Sequence, residues 1–248
     1  MARQLTFGSL FAGIGGFDLG FERAGMRCAW QVEIDPFCRR VLAKHWPDVR
    51  RWDDVRTFPP EPTEGWRCDV ICGGDPCQGN SNAGSVHKSP HADIGAEFVR
   101  VVAALRPRVV VRENPSVLSP LAVRPWRRMR DDFESLGYAV LPFRLRACCA
   151  GADHQRDRLF LLATLPDSDR LGLEGFDRDW LPTRDVGGTP GVPDTRLKGD
   201  GLPPPRVCRG ADGVPNRVDR LRGLGNALVP QVAEWIGKRI VEAVDPTL

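Results

Sequence analysis

The sequence predicts an α/β fold built on a doubly wound, mostly parallel sheet, and three observations support this prediction. Apolar, strand-like runs alternate with stretches of helical spacing over residues 1–165. A glycine-rich turn follows the first run, and polar residues close several of the later ones. Alternation of this kind places helices on both faces of a parallel sheet. At 248 residues, the chain is long enough for one such domain and a smaller appendage.

The predicted elements follow in chain order. A strand over 5–11 leads into the glycine turn, and residues 17–24 have helical spacing. A second strand covers 28–34, and Pro36 starts a helix that extends to about Trp46. A short third strand is expected near Trp52. The remaining predicted strands cover 68–72, 108–112, 138–145 and 159–165, and the remaining helices cover 94–105, 121–136 and 231–244.

Residues 166–216 differ in composition, with nine glycines and eight prolines and no sustained apolar period. This composition is compatible with disorder, but scattered apolar residues such as Phe176 and Trp180 favour a compact irregular domain. We therefore predict a larger domain over 1–165, a small domain over 166–216, and a C-terminal segment over 217–248. The helix of that segment is expected to pack back onto the larger domain.

Composition and charge limit the class of protein. No apolar run approaches the ~18 residues of a membrane span, and the first residues do not form a signal peptide, which predicts a soluble cytoplasmic protein. The eight cysteines lack the spacing of a zinc site, so we expect reduced thiols and no bound metal. Residues 100–158 contain twelve arginines and six acids, a balance that suits phosphate contacts, although a solvated face is equally compatible.

Cys77 is the first candidate for a reactive residue. It follows an apolar run, two glycines, Asp75 and Pro76, which places it just beyond the carboxyl end of a predicted strand. Open α/β sheets carry their chemistry at this edge, and a thiolate there is a strong nucleophile. A buried structural cysteine is the alternative, and residue type alone favours it.

The glycine turn at 11–16 precedes a second strand that closes on Glu33. Glycines let a ligand approach the backbone closely, and a carboxylate about 20 residues further on accepts hydrogen bonds from ribose hydroxyls. The spacing differs from the GxGxxG pattern of dinucleotide sites, which favours an adenosine-type cofactor such as S-adenosylmethionine. Asp54 is a candidate acceptor for an adenine amino group, and a turn or cap is the alternative for this residue.

Further polar groups are predicted at the same edge of the sheet. Glu113 follows an apolar run and, with the usual strand order, lies beside the strand that leads to Cys77. Burial can keep such a carboxyl protonated, which suits donation to a ring nitrogen, and a salt bridge with Arg112 is the alternative. Arg156 and Arg158 are two residues apart on an extended segment, so both side chains can point into the cleft.

This ordered set of motifs resembles the DNA (cytosine-5)-methyltransferase family. The motifs are Phe-x-Gly-x-Gly-Gly at 11–16, Glu33, Asp54-Val55, Pro76-Cys77-Gln78, Glu113-Asn114, Arg-x-Arg at 156–158 and Gly225-Asn226. They extend over nearly the whole chain apart from residues 166–216. The resemblance implies a Rossmann-like methyltransferase fold and identifies residues 166–216 as a small, irregular target recognition domain.

The resemblance also implies a role for each matching residue. Cys77 would add to carbon 6 of a flipped cytosine, Glu113 would donate to N3, and Arg158 would hold O2. Arg156 would orient the catalytic loop or contact phosphate. The methyl group would come from S-adenosylmethionine, and the implied cofactor-binding residues are Phe11, Gly13, Gly15, Gly16, Glu33, Ile34, Asp54, Pro76 and Asn226.

The implied partner is double-stranded DNA, with no membrane and no metal, and we expect a monomer. The implied setting is a bacterial or phage-infected cell, with the enzyme in the cytoplasm near the nucleoid, as in restriction-modification. Two alternatives are kept: a cytosine-5 methyltransferase that acts on tRNA, and a catalytically silent DNA-binding protein.

The chain departs from the family pattern at four positions. Asp75 stands where phenylalanine is common, and its negative charge would by itself disfavour the Cys77 thiolate. His154 replaces a frequent glutamine, Ala227 a serine, and Ser9 an aspartate. None of these changes removes a reacting group, so we expect an active enzyme.

Overall fold

A seven-stranded sheet forms the centre of the protein, for which we describe a computed structural model. The structure describes residues 3–75, 94–115, 130–152, 156–165 and 227–244. The strands are β1 Thr6–Leu10, β2 Arg27–Val32, β3 Arg50–Trp52, β4 Val70–Gly74, β5 Val109–Pro115, β6 Ala139–Arg146 and β7 Asp157–Thr164. The helices are α1 Gly16–Arg23, α2 Pro36–His45, α3 Ile94–Leu105 and α4 Pro230–Val244, and residues 130–135 are also helical.

The strand order is β3-β2-β1-β4-β5-β7-β6. The first five strands are mutually parallel, and β7 runs antiparallel to both of its neighbours. The prediction of a doubly wound, mostly parallel sheet is therefore confirmed. The orientation of β7 was not predicted. It follows from the short connection over 147–156, because a parallel neighbour would require a crossover of about a dozen residues or more.

Local sequence explains where the first two helices begin. Asp35 caps α2, since its Oδ1 accepts from the backbone N–H groups of Phe37 and Cys38 at 2.8 and 3.0 Å. Pro36 then occupies the first helical position, where no N–H is needed. Helix α1 begins directly after Gly15, whose φ of 89° lies in the left-handed region that glycine tolerates. The glycine turn therefore connects β1 to α1 within a few residues.

Two apolar layers cover the sheet, one on each face. In β5 the side chains alternate, so Val109 and Val111 belong to the layer that contains α1 and α4, and Val110 belongs to the layer that contains α3. Helix α4 packs closely on α1, where a Cβ at Gly20 would lie 2.4 Å from that of Ala233. None of the helices that the structure describes is long and apolar enough to cross a membrane.

Two predictions concern residues outside these ranges. The proposed small domain at 166–216 and the first part of the predicted helix 121–136 both lie outside the described residues. The division of the chain into three regions stays a prediction.

Candidate active site

The glycine turn lies at the carboxyl ends of β1 and β2. Phe11 and Gly13 have φ angles of 53° and 57°, so the backbone reverses sharply after β1. The turn is held by backbone hydrogen bonds, from Ala12 N to Val32 O at 3.1 Å and from Gly15 N to Ala12 O at 2.9 Å. These internal hydrogen bonds give the turn a fixed shape at the carboxyl edge of the sheet.

Glu33 fastens the glycine turn to the end of β2. Its Oε2 accepts from the N–H of Gly13 at 2.7 Å, and its Oε1 accepts from the N–H of Asp35 at 2.8 Å. Burial raises the pKa of the Glu33 carboxyl, and the two backbone donors oppose that rise. The next side chain, Ile34, is 60% exposed, which is unusual for a large apolar residue. Glu33 thus lies beside the turn, and the cofactor-binding roles of Glu33 and Ile34 stay predictions.

The other two glycines of the turn allow close packing behind it. A Cβ at Gly15 would lie 2.5 Å from the ring of Trp46, and one at Gly16 would lie 2.2 Å from the carbonyl oxygen of Leu228. A cavity of about 600 Å³ adjoins this side of the turn, and Gly15, Gly16, Trp46, Arg156 and Leu228 contribute to its wall. Glu33, Ile34 and Asp54 do not line this cavity. The turn therefore separates the cavity from the carboxylates predicted to bind the cofactor.

Asp54 lies at the start of a 3₁₀ turn over Val55–Thr57, which it caps. Its carboxylate accepts from the backbone N–H of Arg56 at 3.0 Å and forms an ion pair with the Arg56 guanidinium at 2.7 Å. The side-chain hydrogen bond from Arg56 lowers the pKa of Asp54. The cap expected as the alternative is thus present, and both carboxylate oxygens accept from Arg56. The adenine contact stays a prediction.

Glu113 lies in β5 opposite Gly74 of β4, at the edge that leads to Cys77. Its Oε1 is 2.7 Å from Nε of Arg158, which β7 brings alongside. The Glu113 side chain is nearly buried, and this burial raises its pKa to about 7, although Arg158 and Arg156 lower it. The predicted grouping of Glu113 with both arginines is therefore present in the fold. Near neutral pH this carboxyl can both hold and release a proton.

Gly74 makes room for the Glu113 carboxyl. A Cβ at Gly74 would lie 2.5 Å from Oε2 of Glu113, so any larger residue would displace the acid. The sequence shows two glycines before Asp75. Only the register of β4 on β5 shows that the second, Gly74, leaves space for the Glu113 carboxyl.

Arg112 does not pair with Glu113, so the alternative of an Arg112–Glu113 salt bridge is wrong. Adjacent residues of a strand point to opposite faces, and Nε of Arg112 instead lies 2.7 Å from Oδ1 of Asp75. The charge of Asp75, which would by itself disfavour a thiolate at Cys77, is paired with the buried Arg112 guanidinium.

A buried polar cluster below the glycine turn was not anticipated. Asp18 of α1 is fully buried and accepts from Ser9 Oγ at 3.0 Å, Gln31 Nε2 at 2.8 Å and Cys28 Sγ at 3.5 Å. Burial raises the pKa of Asp18 to about 6. Ser9 was noted only as a departure from the family pattern, and here it donates to a carboxylate supplied by the neighbouring helix. An acid on the apolar face of α1 was the sign in the sequence that pointed to this cluster.

Three predicted site residues lie outside the described residues, namely Cys77, Pro76 and Asn226. The described ranges contain no group of three or more His, Cys, Asp or Glu side chains placed to hold a metal ion.

Comparison with known proteins agrees with this geometry. The chain matches the model of the C-5 cytosine-specific DNA methylase family over residues 5–187. The Type II methyltransferase M.HgiBI of Herpetosiphon aurantiacus is 33% identical over 184 residues, covering 70% of this chain and 40% of that protein. The Type II methyltransferase M1.HphI of Haemophilus parahaemolyticus is 33% identical over 169 residues, covering 64% of this chain and 45% of that protein.

Solved structures show the same architecture. A DNA modification methyltransferase encoded within a prophage, from E. coli, is 26% identical with a TM-score of 0.58, covering 70% of this chain and 50% of that chain. A DNMT2 variant from Spodoptera frugiperda is 18% identical with a TM-score of 0.59 over 77% of this chain and 57% of that chain, a likeness of fold alone. The sheet is thus the Rossmann-like sheet of the methyltransferases. The chain spans less than half the length of the two curated relatives. With a family model that matches residues 5–187 and a buried Glu113–Arg158 pair at the expected edge, the chain belongs to the C-5 cytosine-specific DNA methylase family.

Proposed function

We propose that the protein is a DNA (cytosine-5)-methyltransferase that methylates carbon 5 of a flipped cytosine in a specific duplex sequence. The observation that carries this proposal is the Glu113 carboxyl. It is nearly buried, its pKa is raised to about 7, and it lies 2.7 Å from Arg158 at the edge of the sheet that leads to Cys77. An acid with a pKa near the working pH suits proton donation to a ring nitrogen.

The described residues at the glycine turn fit S-adenosylmethionine as the cofactor. Glu33 is fixed beside the turn by the N–H groups of Gly13 and Asp35, and the exposed Ile34 offers an apolar surface to an adenine ring. Bound there, S-adenosylmethionine supplies an electrophilic methyl group. Phe11, Gly13, Glu33 and Ile34 would hold the nucleoside part, and Asp54 would accept from an amino group in place of the exposed Arg56 guanidinium.

The chain's own residues would then activate the base. The Cys77 thiolate forms a bond to carbon 6 while Glu113 passes a proton to N3, so that carbon 5 gains the electron pair it needs to attack a methyl group. Arg158 would hold the cytosine O2 and stabilise charge on the adduct, and Arg156 would orient the catalytic loop or contact phosphate. Loss of the carbon 5 proton to a base then expels the Cys77 thiolate, and N3 returns its proton to Glu113, which restores the ring.

Duplex DNA is the proposed partner, and the structure narrows which arginines are free to contact it. Several of the twelve arginines in 100–158 have internal partners: Arg100 donates to Val55 O at 2.7 Å, Arg106 donates to Leu136 O at 2.6 Å, and Arg112, Arg130 and Arg158 form ion pairs with Asp75, Glu134 and Glu113. Phosphate contacts would therefore come from other arginines of this segment. We propose that the region 166–216 reads the target bases, and that the enzyme is a monomer that acts in the cytoplasm near the nucleoid.

A transfer assay with two acceptors tests the proposed function. Purified protein is incubated with tritiated S-adenosylmethionine and either duplex DNA or tRNA, and label at carbon 5 of cytosine is measured. We expect label in DNA only, and loss of at least about 10³-fold in Cys77→Ala, because the covalent step disappears. Cys148→Ser, which changes a partly exposed thiol in the turn after β6, is the control that keeps full activity.

Two outcomes would reject the proposal. Label in tRNA alone would identify an RNA methyltransferase. No transfer to either acceptor, together with no covalent complex on duplex DNA that contains 5-fluorocytosine, would identify a silent DNA-binding protein.

A further inference from the structure

The turn over 54–58 follows the shortest strand of the sheet. β3 has three residues and lies at the sheet edge, where β2 is its one neighbour among the described strands. Within the turn, the N–H of Thr57 donates to Asp54 O and that of Phe58 donates to Val55 O, both at 3.1 Å. Asp54, the predicted acceptor for an adenine amino group, therefore stands on a segment that the sheet supports from one side only.

Arg100 of α3 holds this turn from the neighbouring helix. Its Nη2 donates to Val55 O at 2.7 Å and to Phe58 O at 2.6 Å. Because Nη2 carries two hydrogens, both bonds can form at the same time. Nε of Arg100 donates to Oε2 of Glu97 at 2.7 Å, one helical turn earlier, and this ion pair fixes the direction of the guanidinium. Three of its five N–H groups thus have acceptors that belong to the turn or to its own helix.

Apolar packing and the bonds of Arg100 restrain the turn in different ways. Val55 and Phe58 are 5% and 0% exposed and belong to the apolar layer that contains α3. Apolar burial keeps the turn against the helix but has little directional preference. Hydrogen bonds to two carbonyl groups do have a direction, so they specify how the turn is oriented. The side chain of Asp54 projects from the start of the same turn.

We infer that Arg100 is a positioning residue for Asp54: by binding two carbonyl groups of the turn over 54–58, it holds the Asp54 carboxylate where it accepts from the amino group of adenine. The inference rests on the proposed function, in which Asp54 accepts from that group. It gives Arg100 a task distinct from the phosphate contacts that the twelve arginines of 100–158 suggest.

The test compares two ligands by calorimetry with the full chain. They are S-adenosylhomocysteine and its inosine analogue, in which a carbonyl oxygen replaces the amino group of the base and cannot donate to Asp54. We expect Arg100→Met to raise the Kd for S-adenosylhomocysteine about tenfold, the scale of one charge-assisted hydrogen bond, and to leave the Kd for the analogue within about twofold. The preference for the amino group should therefore fall about tenfold.

Arg106→Met is the matched control. Arg106 directly follows α3 and also donates to a backbone carbonyl, that of Leu136 at 2.6 Å, but it does not contact the turn over 54–58. Both Kd values should stay within about twofold of those of the unaltered protein in this variant.

A double-mutant cycle shows whether Arg100 acts through Asp54. Asp54→Ala should raise the Kd for S-adenosylhomocysteine, and adding Arg100→Met to it should raise that Kd by less than about threefold, because the group to be positioned is already missing. If Arg100→Met fails to fold, Arg100→Lys decides. A lysine can donate to a carbonyl of the turn but cannot also bridge to Glu97 with a planar fork, so the Kd should rise about threefold with a matching loss of preference for the amino group.

A merely structural role for Arg100 predicts a different pattern. Looser packing would weaken both ligands equally and would add its full effect to Asp54→Ala. Equal rises for the two ligands, a full tenfold rise on top of Asp54→Ala, or changes below about twofold in Arg100→Met would each overturn the inference. No binding of S-adenosylhomocysteine by the unaltered protein would overturn it as well.

These measurements need neither DNA nor methyl transfer, so the inference and the proposed function can fail separately. The expected Kd pattern in a protein that methylates neither DNA nor tRNA would reject the proposed function and leave the role of Arg100 standing. Methyl transfer to DNA with unchanged ligand preference in Arg100→Met would reject the role of Arg100 and leave the function standing.

Discussion

Glu33 and Glu113 are two glutamates at the carboxyl edge of one sheet, the first partly buried and the second buried, and they are held by different kinds of partner. Glu33 accepts from two backbone N–H groups, those of Gly13 and Asp35. Glu113 faces the side chain of Arg158, with Arg156 also acting on it. In both cases burial raises the carboxyl pKa.

The difference separates a carboxylate that binds from one that reacts. Backbone donors are fixed by the fold, so Glu33 is held in one position and holds the glycine turn with it. A guanidinium on a flexible stem can move when a base enters, and a carboxyl with a pKa near 7 can give up a proton at that moment. The comparison therefore supports the proposal that Glu33 binds the cofactor and Glu113 transfers a proton.

Glu113→Gln is expected to have the largest effect. The amide keeps the size of the side chain but cannot deliver a proton, so methyl transfer in a single turnover should fall about 10³-fold, within the range of general acid catalysis. The unaltered protein should also lose rate as pH rises above about 7, since Glu113 is then deprotonated. That decline should be absent from the residual activity of Glu113→Gln.

Cofactor affinity separates this result from a general loss of structure. Glu113→Gln leaves Glu33 and the glycine turn intact, so the Kd for S-adenosylmethionine, measured by calorimetry, should stay within about twofold of the unaltered value. A variant that loses cofactor binding along with activity would contradict the division of roles.

Glu33→Gln should have a smaller effect, on cofactor binding rather than on methyl transfer. One oxygen can still accept a backbone N–H, but the new NH₂ group faces a donor, so the side chain loses one of its two backbone hydrogen bonds, to Gly13 of the turn or to Asp35. We expect the Kd for S-adenosylmethionine to rise about 10- to 100-fold, with methyl transfer at saturating cofactor nearly unchanged. Glu64→Gln, in an exposed 3₁₀ turn, is the matched control. A fall in kcat without a change in Kd would place Glu33 in the chemistry instead.

The sequence predicts the positions of Glu33 and Glu113, because these depend on the local pattern of apolar residues. Alternating apolar runs locate the strands, and residues that follow a strand must lie at its carboxyl edge, so Glu33 and Glu113 could be placed in advance. The pairing of Arg112 with Asp75 could not be predicted, because it depends on the register of β4 on β5. The same holds for the need for Gly74 beside Glu113. The sequence also does not show that β7 inserts antiparallel between β5 and β6, which is what brings Arg158 to Glu113.

Asp18 sharpens the comparison, because it is a third buried carboxylate with a third kind of partner. Its donors are the neutral side chains of Ser9, Gln31 and Cys28, and its pKa is raised from 3.8 to about 6. A raised pKa in the folded state means that the folded protein binds the proton more tightly than the unfolded chain does. The stability that this proton contributes is present below pH 3.8 and is lost as pH rises through about 6.

Asp18→Asn should therefore stabilise the protein, and only at higher pH. The amide oxygen can accept from Gln31 while the NH₂ group donates to Ser9, so the neutral variant avoids the buried charge. Relative to the unaltered protein, its free energy of unfolding in urea should be equal near pH 4 and higher by up to about 3 kcal/mol above pH 6, since each unit of pKa is worth about 1.4 kcal/mol. Asp48→Asn, an exposed position after α2, should show no such trend. A stability difference for Asp18→Asn that is constant from pH 4 to 7.5 would mean that Asp18 is charged throughout. Neutral hydrogen-bond donors would then keep a buried carboxylate charged as effectively as the backbone amides that donate to Glu33 and the guanidinium that pairs with Glu113.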